Sequence, residues 1–285
     1  MKKVLTYVVL VILTVFLMAP FVWMVFVSLQ QSKSPIPDVA SIVHKSHSLG
    51  ELRSNAFPTG AQWDNYRIVL LSPEVPVFRF LLNSLLVCGA VVVGQLLLCS
   101  MAAYGFARLK FKGREALFTA FLLSMMFAGT VVQIPVFLLV RTLGWLDTYW
   151  ALIVPGVGSA FGVFLLRQFF SQIPTEIDEA ARIDGANDWT IYWRLVLPMS
   201  KAALATLGAF AFIATWTDFF WPLMATSSLE MRTLEVGLSI FKDSYGGQNW
   251  PLQMTAAVVT LIPVLIVFLA LQKYFVKGVT MGSIK

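Results

Sequence analysis

Residues 80–107 read FLLNSLLVCGAVVVGQLLLCSMAAYGFA, a run without any charged side chain. A helix needs about 20 apolar residues to cross the hydrocarbon core of a bilayer. This run is long enough to do so, and Arg79 and Arg108 bound it on either side. Because hydrocarbon offers backbone N–H and C=O groups no hydrogen-bonding partner, the span must be helical.

Five further segments have the same apolar character. They are residues 4–29, the stretch between Glu115 and Arg141, the stretch between Asp147 and Arg167, residues 201–218 and residues 244–272. The first follows two lysines, as in a signal peptide, but its apolar run of about 26 residues exceeds the roughly 7–15 residues of a signal peptide's hydrophobic region. We expect it to stay uncleaved. The sequence therefore predicts an all-α integral membrane protein with six transmembrane helices.

The composition agrees with a membrane protein. Of the 285 residues, 58% are hydrophobic and 13% are charged, and the mean hydropathy is +0.77. Soluble domains carry roughly a quarter charged residues, so a disordered chain, a coiled coil and an ordinary cytosolic enzyme are excluded. The formal net charge of +6 and the pI of 9.4 are better explained by basic residues flanking the membrane than by binding of nucleic acid.

Cysteine and histidine indicate neither a disulfide nor a metal site. Cys88 and Cys99 lie in one apolar run, about 16 Å apart along a helix axis, which is too far for a disulfide. His44 and His47 form an H-x-x-H pair without a third ligand. Short matches of this kind are often coincidental, so we expect solvated loop histidines and no bound metal.

The distribution of basic residues predicts the orientation. Four of them crowd one short loop: Arg108, Lys110, Lys112 and Arg114. Short loops rich in lysine and arginine stay in the cytoplasm, and both termini are then cytoplasmic. We divide the chain into an N-terminal transmembrane helix (1–32), an external loop (33–78) and a core of five helices (79–285) that contains a long cytoplasmic loop (167–201).

The cytoplasmic loop contains start and stop signals for a helix of about nine residues. Thr175 is placed as its N-cap, with Asp178 in the capping-box position three residues later. Acidic residues fill the first turn, where the helix dipole favours them. Asp178 and Arg182 have the spacing of an i,i+4 ion pair, and Gly185 is placed to end the helix.

A second short helix follows, starting at Asn187 or Asp188 and ending before Pro198. The apolar face of the first helix is small and flat; it comprises Ile177, Ala180 and Ala181, flanked by Ile183. This helix–turn–helix would lie at the cytoplasmic surface. Composition alone favours equally an amphipathic cover over the helix bundle and a projection that binds a soluble partner.

The motif Glu179-Ala180-Ala181, Gly185 and Leu195-x-Leu197-Pro198 has intervals of three and nine residues. It resembles the EAA loop of ABC importer permeases, E-A-A-x3-G-x9-I-x-L-P, with leucine at position 195 where isoleucine is usual. The string from Ile173 to Ala186 is similar to the carbohydrate (MalG-like) branch of that family. Similar strings run along most of the chain, among them residues 82–85, 103–108, 111–114, 216–219 and 277–282.

Two features depart from the family pattern. Ala128 stands where the family often has a proline, seven residues before Pro135. This substitution predicts a weaker kink in the third span. The first external loop is somewhat longer than in relatives.

The resemblance implies the type I ABC importer (MetI-like) permease fold, with five core helices plus one N-terminal helix. It implies a permease subunit of a binding-protein-dependent carbohydrate importer in the plasma (inner) membrane of a bacterium or archaeon. The implied partners are a second homologous permease, two copies of an ATP-binding subunit, an extracytoplasmic solute-binding protein, the carbohydrate and membrane lipid, with no nucleic acid. The chain has no G-x-x-x-x-G-K-[ST] loop, so it should be non-catalytic and cofactor-free, with ATP and magnesium held by the partners.

Two sets of site residues follow. The resemblance implies an ATPase-coupling surface made of Glu176, Glu179, Ala180, Ala181, Asp184, Gly185 and Pro198. Polar residues inside spans are candidates for a substrate pathway, and aromatic residues beside them can stack on a sugar; this set comprises Asn83, Gln133, Thr215, Trp216 and Asp218, with Gln95, Thr217, Phe219, Phe220 and Trp221 as further candidates. The alternative is that these residues form interfacial belts or join helices.

Three other functions compete with this interpretation. A permease for peptides or amino acids is the nearest, within the same class. An ion-coupled secondary transporter would need ionisable residues at mid-membrane, which the span interiors lack. A membrane enzyme would need paired carboxylates or metal ligands near one face, and the acidic residues cluster in the cytoplasmic loop instead.

Overall fold

The computed structural model describes residues 2–30, 61–71, 75–244 and 249–281, and all regular structure within these ranges is helical. The helices are α1 (Lys2–Ser28), α2 (Asp64–Leu71), α3 (Val77–Arg108), α4 (Arg114–Ser124), α5 (Gly129–Thr142), α6 (Tyr149–Ile153), α7 (Ala160–Phe170), α8 (Thr175–Ile183), α9 (Asp188–Ile191), α10 (Lys201–Trp216), α11 (Phe220–Ala225), α12 (Leu234–Ser244) and α13 (Trp250–Met281). His44 and His47, with most of the first external loop, lie outside the described residues.

Three helices, α1, α3 and α13, are long and apolar enough to cross a membrane unbroken. Three further spans are bent pairs: α4 with α5 at 100°, α6 with α7 at 40°, and the segment Asp188–Met199 with α10 at 78°. If each bent pair is one span, the described residues contain up to six, as the sequence predicts. The division into segments 1–32, 33–78 and 79–285 stays a prediction.

The third span contradicts the expected weak kink. Its two halves meet at 100°, and the break lies between Ser124 and Gly129, not at Pro135, which sits inside the continuous α5. Ala128 is the N-cap of α5, with an extended backbone at φ −61° and ψ 129°. The loss of helical conformation just before Gly129 bends the span, so no proline at position 128 is needed.

The chain forms two compact units. The first comprises residues 1–80 and 236–263. Within it, the end of α1 is held by α2, because the side-chain amide of Asn65 donates to the carbonyl oxygens of Ser28 and Gln30, both at 2.8 Å. Thr255 donates to the same Ser28 carbonyl at 3.1 Å. These bonds satisfy carbonyls that the end of a helix leaves unpaired.

The second unit comprises residues 81–235 and 264–285 and holds both candidate sites. One hydrophobic cluster packs the C-terminal part of α3 against α7, α9 and α10; its buried members include Cys99, Ala103, Leu166, Phe170, Tyr192 and Leu207. Another cluster packs the N-terminal part of α3 against α5, α6 and α11; it includes Val87, Val91, Val140, Leu152 and Trp221. Helix α3 therefore runs through both clusters.

A polar clamp holds the connections at the other side of this unit. Asp147 has a left-handed backbone with φ 61°, a conformation that aspartate tolerates better than most residues. Its Oδ1 accepts hydrogen bonds at 3.0 Å from the backbone N–H groups of Ser227 and Ser228 and from the Ser228 hydroxyl. The loop before α6 is thereby tied to the segment after α11.

Gly94 provides a test of the packing of α3. A Cβ at this position would lie 2.5 Å from Cγ1 of Val157, whereas a Cβ at Gly89, on the same helix, would meet nothing within 4 Å. We expect Gly94→Ala to lower the free energy of unfolding by about 1–3 kcal/mol through overpacking. Gly89→Ala is the matched control and should be neutral or stabilising. Thermal unfolding in detergent measures both, and equal midpoints for the two variants would contradict this packing.

Asp147 provides a test by pH. Burial acts to raise its pKa, but hydrogen bonds from Ser228 and Ser227 outweigh burial and hold the pKa below its usual range. The clamp is therefore at full strength above the ordinary aspartate pKa of about 4 and weakens as the pH falls through the lower pKa of the folded protein. We expect Asp147→Asn to unfold at a lower temperature than the parent at about pH 7, and the difference to shrink below about pH 4. A difference independent of pH would argue against a charged clamp.

Candidate functional site

Helix α8 begins one residue later than its sequence signals predict. Pro174 occupies the N-cap position and makes no side-chain capping bond, and Thr175 is the first helical residue. The predicted capping box of Thr175 and Asp178 is therefore wrong. Pro174 sets the extended backbone that leads into the helix, at φ −56° and ψ 136°, so no hydroxyl cap is required.

The predicted end of α8 is confirmed. Gly185 has φ +85°; its N–H bonds the carbonyl of Arg182 at 3.0 Å, and the N–H of Ala186 bonds the carbonyl of Ala181 at 2.9 Å. This pair of bonds is the Schellman motif, which glycine favours because the left-handed conformation carries little penalty without a Cβ. The chain turns sharply here and leads into α9.

The predicted ion pair between Asp178 and Arg182 is wrong. Asp178 lies on the inner face of α8 and pairs with Arg108, at the end of α3, across 3.5 Å; the side chains are 11% and 3% exposed. Arg182 instead pairs with Asp188 across 2.5 Å at the surface. Burial explains the exchange, because the inner face of α8 packs against the cluster around α3 and turns Asp178 towards its end.

The outer face of α8 carries most of the predicted coupling residues. Exposed side chains on or beside this face are Glu176, Glu179, Ala180, Ile183 and Asp184. The small apolar face predicted from the sequence is divided, because Ile177 and Ala181 are half-buried while Ala180 and Ile183 face outwards. Ile183 is 87% exposed. We call this exposed apolar centre with its acidic rim the coupling surface.

The second helix of the loop is anchored inwards. Asn187 caps α9 by accepting a hydrogen bond from the Thr190 N–H at 2.8 Å, as its sequence position predicts. A π-helical turn, Tyr192–Val196, follows and leads into Leu197–Met199, which contains the exposed Pro198. The Tyr192 hydroxyl lies 2.7 Å from the Ser100 hydroxyl on α3. Both helices of the loop therefore attach to the same long helix.

A cavity of about 420 Å³ forms the second candidate site. Its polar lining residues are Gln95, Ser124, Gln133, Thr215 and Asp218, and Trp221 and Phe127 add aromatic surface. The amide of Gln95 donates to the carbonyl oxygen of Gly156 at 2.8 Å. Of the predicted pathway residues, the structure brings Gln133, Thr215 and Asp218 together here.

Asn83 and Trp216, the other two predicted pathway residues, do not line this cavity. The Asn83 amide donates to the carbonyls of Glu230 and Arg232 at 2.8 and 2.9 Å, and its oxygen accepts from the Tyr149 hydroxyl at 2.7 Å. Trp216 is 2% exposed and stacks on Phe212, with ring centroids 5.4 Å apart.

Sequence reasoning missed Ser124 and Phe127, which line the cavity at the break between α4 and α5. It also missed Arg108 as a partner of the cytoplasmic loop. The position of Arg108 at the end of an apolar run is visible in the sequence, but its partner is not.

Comparisons with known proteins place this geometry in one family. The family described as "Binding-protein-dependent transport system inner membrane component" matches residues 95–281. An arabinooligosaccharides transport permease of Bacillus subtilis is 34% identical over 80% of each chain. A trehalose/maltose transport permease of Thermococcus litoralis is 31% identical, covering 100% of this chain and 98% of the relative. An sn-glycerol-3-phosphate transport permease of Yersinia pestis is 36% identical over 72% of this chain and 73% of its own.

The solved structures agree on the fold. A chain of a bacterial ABC transporter involved in the import of the acidic polysaccharide alginate superposes with a TM-score of 0.78 at 25% identity, covering 96% of both chains. A chain from the same kind of transporter, bound to its pentasaccharide-loaded periplasmic protein, gives a TM-score of 0.62 at 14% identity, over 95% of this chain and 93% of the other.

Gly185 allows the turn after α8 to be tested. A Cβ at Gly185 would meet nothing within 4 Å, so any penalty comes from the left-handed backbone and not from a clash. We expect Gly185→Ala to cost about 1–2 kcal/mol and to speed hydrogen exchange of the α8 amides. Gly185→Asn is the matched control and should exchange almost as slowly as the parent, because asparagine tolerates this conformation. Equal exchange in the alanine variant and the parent would refute the assigned turn.

Proposed function

The chain belongs to the family of binding-protein-dependent transport system inner membrane components, and from this premise we propose that it forms half of the translocation pore of an ATP-driven carbohydrate importer. The observation that carries the proposal is the coupling surface on α8. An exposed apolar centre with an acidic rim, on a helix fastened to the span bundle, suits docking against a basic cleft of a soluble subunit.

The proposed substrate is an oligosaccharide or a related carbohydrate. Two of the relatives described above are permeases for arabinooligosaccharides and for trehalose and maltose. The cavity supports this choice, because amide, hydroxyl and carboxylate groups hydrogen-bond sugar hydroxyls and Trp221 offers a ring for stacking. In this proposal Gln133, Thr215 and Asp218 line the sugar's path, while Asn83 and Trp216 hold the wall.

The proposed assembly contains this chain, a second homologous permease, two copies of an ATP-binding subunit and an extracytoplasmic solute-binding protein. ATP and magnesium would bind to the ATP-binding subunits, so this chain needs no cofactor of its own and is not an enzyme. It would lie in the inner membrane of a bacterium or archaeon with both termini cytoplasmic. The basic cluster between α3 and α4 supports this orientation.

The proposed mechanism is alternating access. When ATP binding closes the ATP-binding subunits, the two coupling surfaces of the permease pair move together. The spans then rotate as rigid bodies and open the cavity outwards to receive sugar. Hydrolysis and product release reset the pore. Glu176, Glu179 and Asp184 would face basic groups of the partner, Ala180 and Ala181 would permit close approach, and Gly185 and Pro198 would direct the chain back to the membrane.

The test of this function is a charge reversal on the coupling surface. We expect the tagged parent chain, extracted in mild detergent, to copurify with a second permease and an ATP-binding subunit and to hydrolyse ATP. Glu179→Lys should abolish that activity and release the ATP-binding subunit, because a favourable charge contact becomes repulsive. Asp64→Lys makes the same charge change at an exposed site on α2 and should leave both unchanged.

The opposite result is equally clear. Recovery of the parent chain alone, with sugar transport that needs no ATP, would overturn the ABC assignment and favour a secondary transporter.

A further inference from the structure

Helix α3 connects the two candidate sites. Arg108, its last residue, contacts α8, and Gln95, thirteen residues earlier, lines the cavity. That separation corresponds to about 20 Å along a helix axis. Because α3 is one continuous helix of 32 residues, a displacement imposed on its end moves the cavity wall with it.

We infer that Arg108 is a positioning residue which makes α3 follow α8, through a buried contact with Asp178 that changes between two arrangements during transport. The inference rests on the proposed function, since it assumes that α8 is the helix displaced by the ATP-binding subunits. Arg108 acts on the cavity through α3 and contacts neither sugar nor nucleotide.

The guanidinium of Arg108 grips the start of α8 at two points. Its Nη2 donates to the carbonyl oxygen of Ile173 at 2.7 Å, and its Nη1 lies 3.5 Å from Oδ2 of Asp178. Ile173 precedes the helix and Asp178 lies within its first turns, so one side chain holds both the entry and the body of α8. The contact is well placed to transmit a movement of the whole helix.

The pair is incompletely satisfied in this conformation. Oδ1 of Asp178 and Nε of Arg108 are both buried and have no hydrogen-bond partner among the described residues. Buried polar groups are normally paired, and an unpaired one calls for an explanation. Arginine and carboxylate can form two parallel bonds of about 2.7–2.9 Å. A relative movement of less than about 1 Å would shorten the present contact, and a rotation of the carboxylate would bring Oδ1 to Nε.

The unused bonding capacity points to two arrangements of the pair. In the present one, a single long contact joins α3 and α8. In the other, a two-bond contact locks them together. Fold stability alone gives no reason to retain such a pair, because replacing a buried ion pair by apolar residues is often neutral or stabilising.

Other contacts of the loop do not replace this one. Tyr192 and Ser100 attach the π-helical turn after α9 to α3 at 2.7 Å, two turns before Arg108. That contact holds the second half of the loop, whereas Arg108 provides a polar contact to α8 itself. Removing the Arg108 pair should therefore leave the loop attached but let α8 move without α3.

The test compares sugar transport with ATP hydrolysis in the complete importer, reconstituted in proteoliposomes. The main variant is Arg108→Met with Asp178→Leu, which removes both charges and leaves no unpaired buried charge to unfold the chain. We expect ATP hydrolysis to stay close to the parent rate while sugar transported per ATP falls about tenfold, within the range typical of coupling between sites. Arg108→Lys, which keeps the charge but loses the planar fork, should give an intermediate ratio.

The matched control is Arg114→Met with Glu115→Leu. It removes an exposed ion pair just beyond α3, with a separation of 2.9 Å, and should leave the ratio unchanged. A fall of transport and hydrolysis in equal proportion, or no change in either, would overturn the inference and leave the pair a structural contact. If the double variant does not assemble, the ratio for Arg108→Lys decides between the two results.

Failure of the proposed function would look different. Copurification of the parent chain with an ATP-binding subunit establishes that function before any variant is measured. An importer that assembles and hydrolyses ATP but shows the parent ratio in both variants refutes only the role of Arg108.

Discussion

The absence of hydrogen-bonding partners in hydrocarbon is the constraint on which this structure depends. It forces every span to be helical and makes each interruption of a helix costly, unless protein or a polar cavity supplies the missing partners. In the second unit, three interruptions meet one cavity: Ser124 and Phe127 at the first, Gly156 at the second, and Asp218 at the third. Gln95 shows how the cost is met, because its amide bonds the carbonyl of Gly156. The same bends that need polar partners therefore supply a polar path through an apolar bundle.

The connections between helices obey the same constraint. Asn65 bonds carbonyls at the end of α1, Asn83 bonds those of Glu230 and Arg232, and Asp147 accepts two backbone N–H groups. A buried polar group left unpaired costs about 1–3 kcal/mol, so these side chains hold chain segments that have no regular structure. This accounts for the position of Asn83, a polar residue inside a span that joins connections and does not line the cavity.

The cytoplasmic loop separates attachment from contact by using the two faces of one helix. The inner face of α8 places Asp178 against Arg108, and the outer face leaves Glu179, Ala180 and Ile183 in solvent. A helix of nine residues is marginal on its own in water. Its attachment to α3 and its glycine-based turn hold it in one conformation, so that the outer face is organised before any partner binds.

The sequence by itself determined the all-helical membrane architecture, the apolar stretches that form the spans, and the position and end of α8. These features depend on local properties, namely hydropathy over about 20 residues and the freedom of glycine at Gly185. Only the tertiary structure decided the 100° bend of the third span, the selection of Gln133, Thr215 and Asp218 for the cavity, and the pairing of Asp178 with Arg108 in place of Arg182. Each of these depends on which residues, distant in the chain, are packed against one another, and a one-dimensional pattern carries no signal for such contacts.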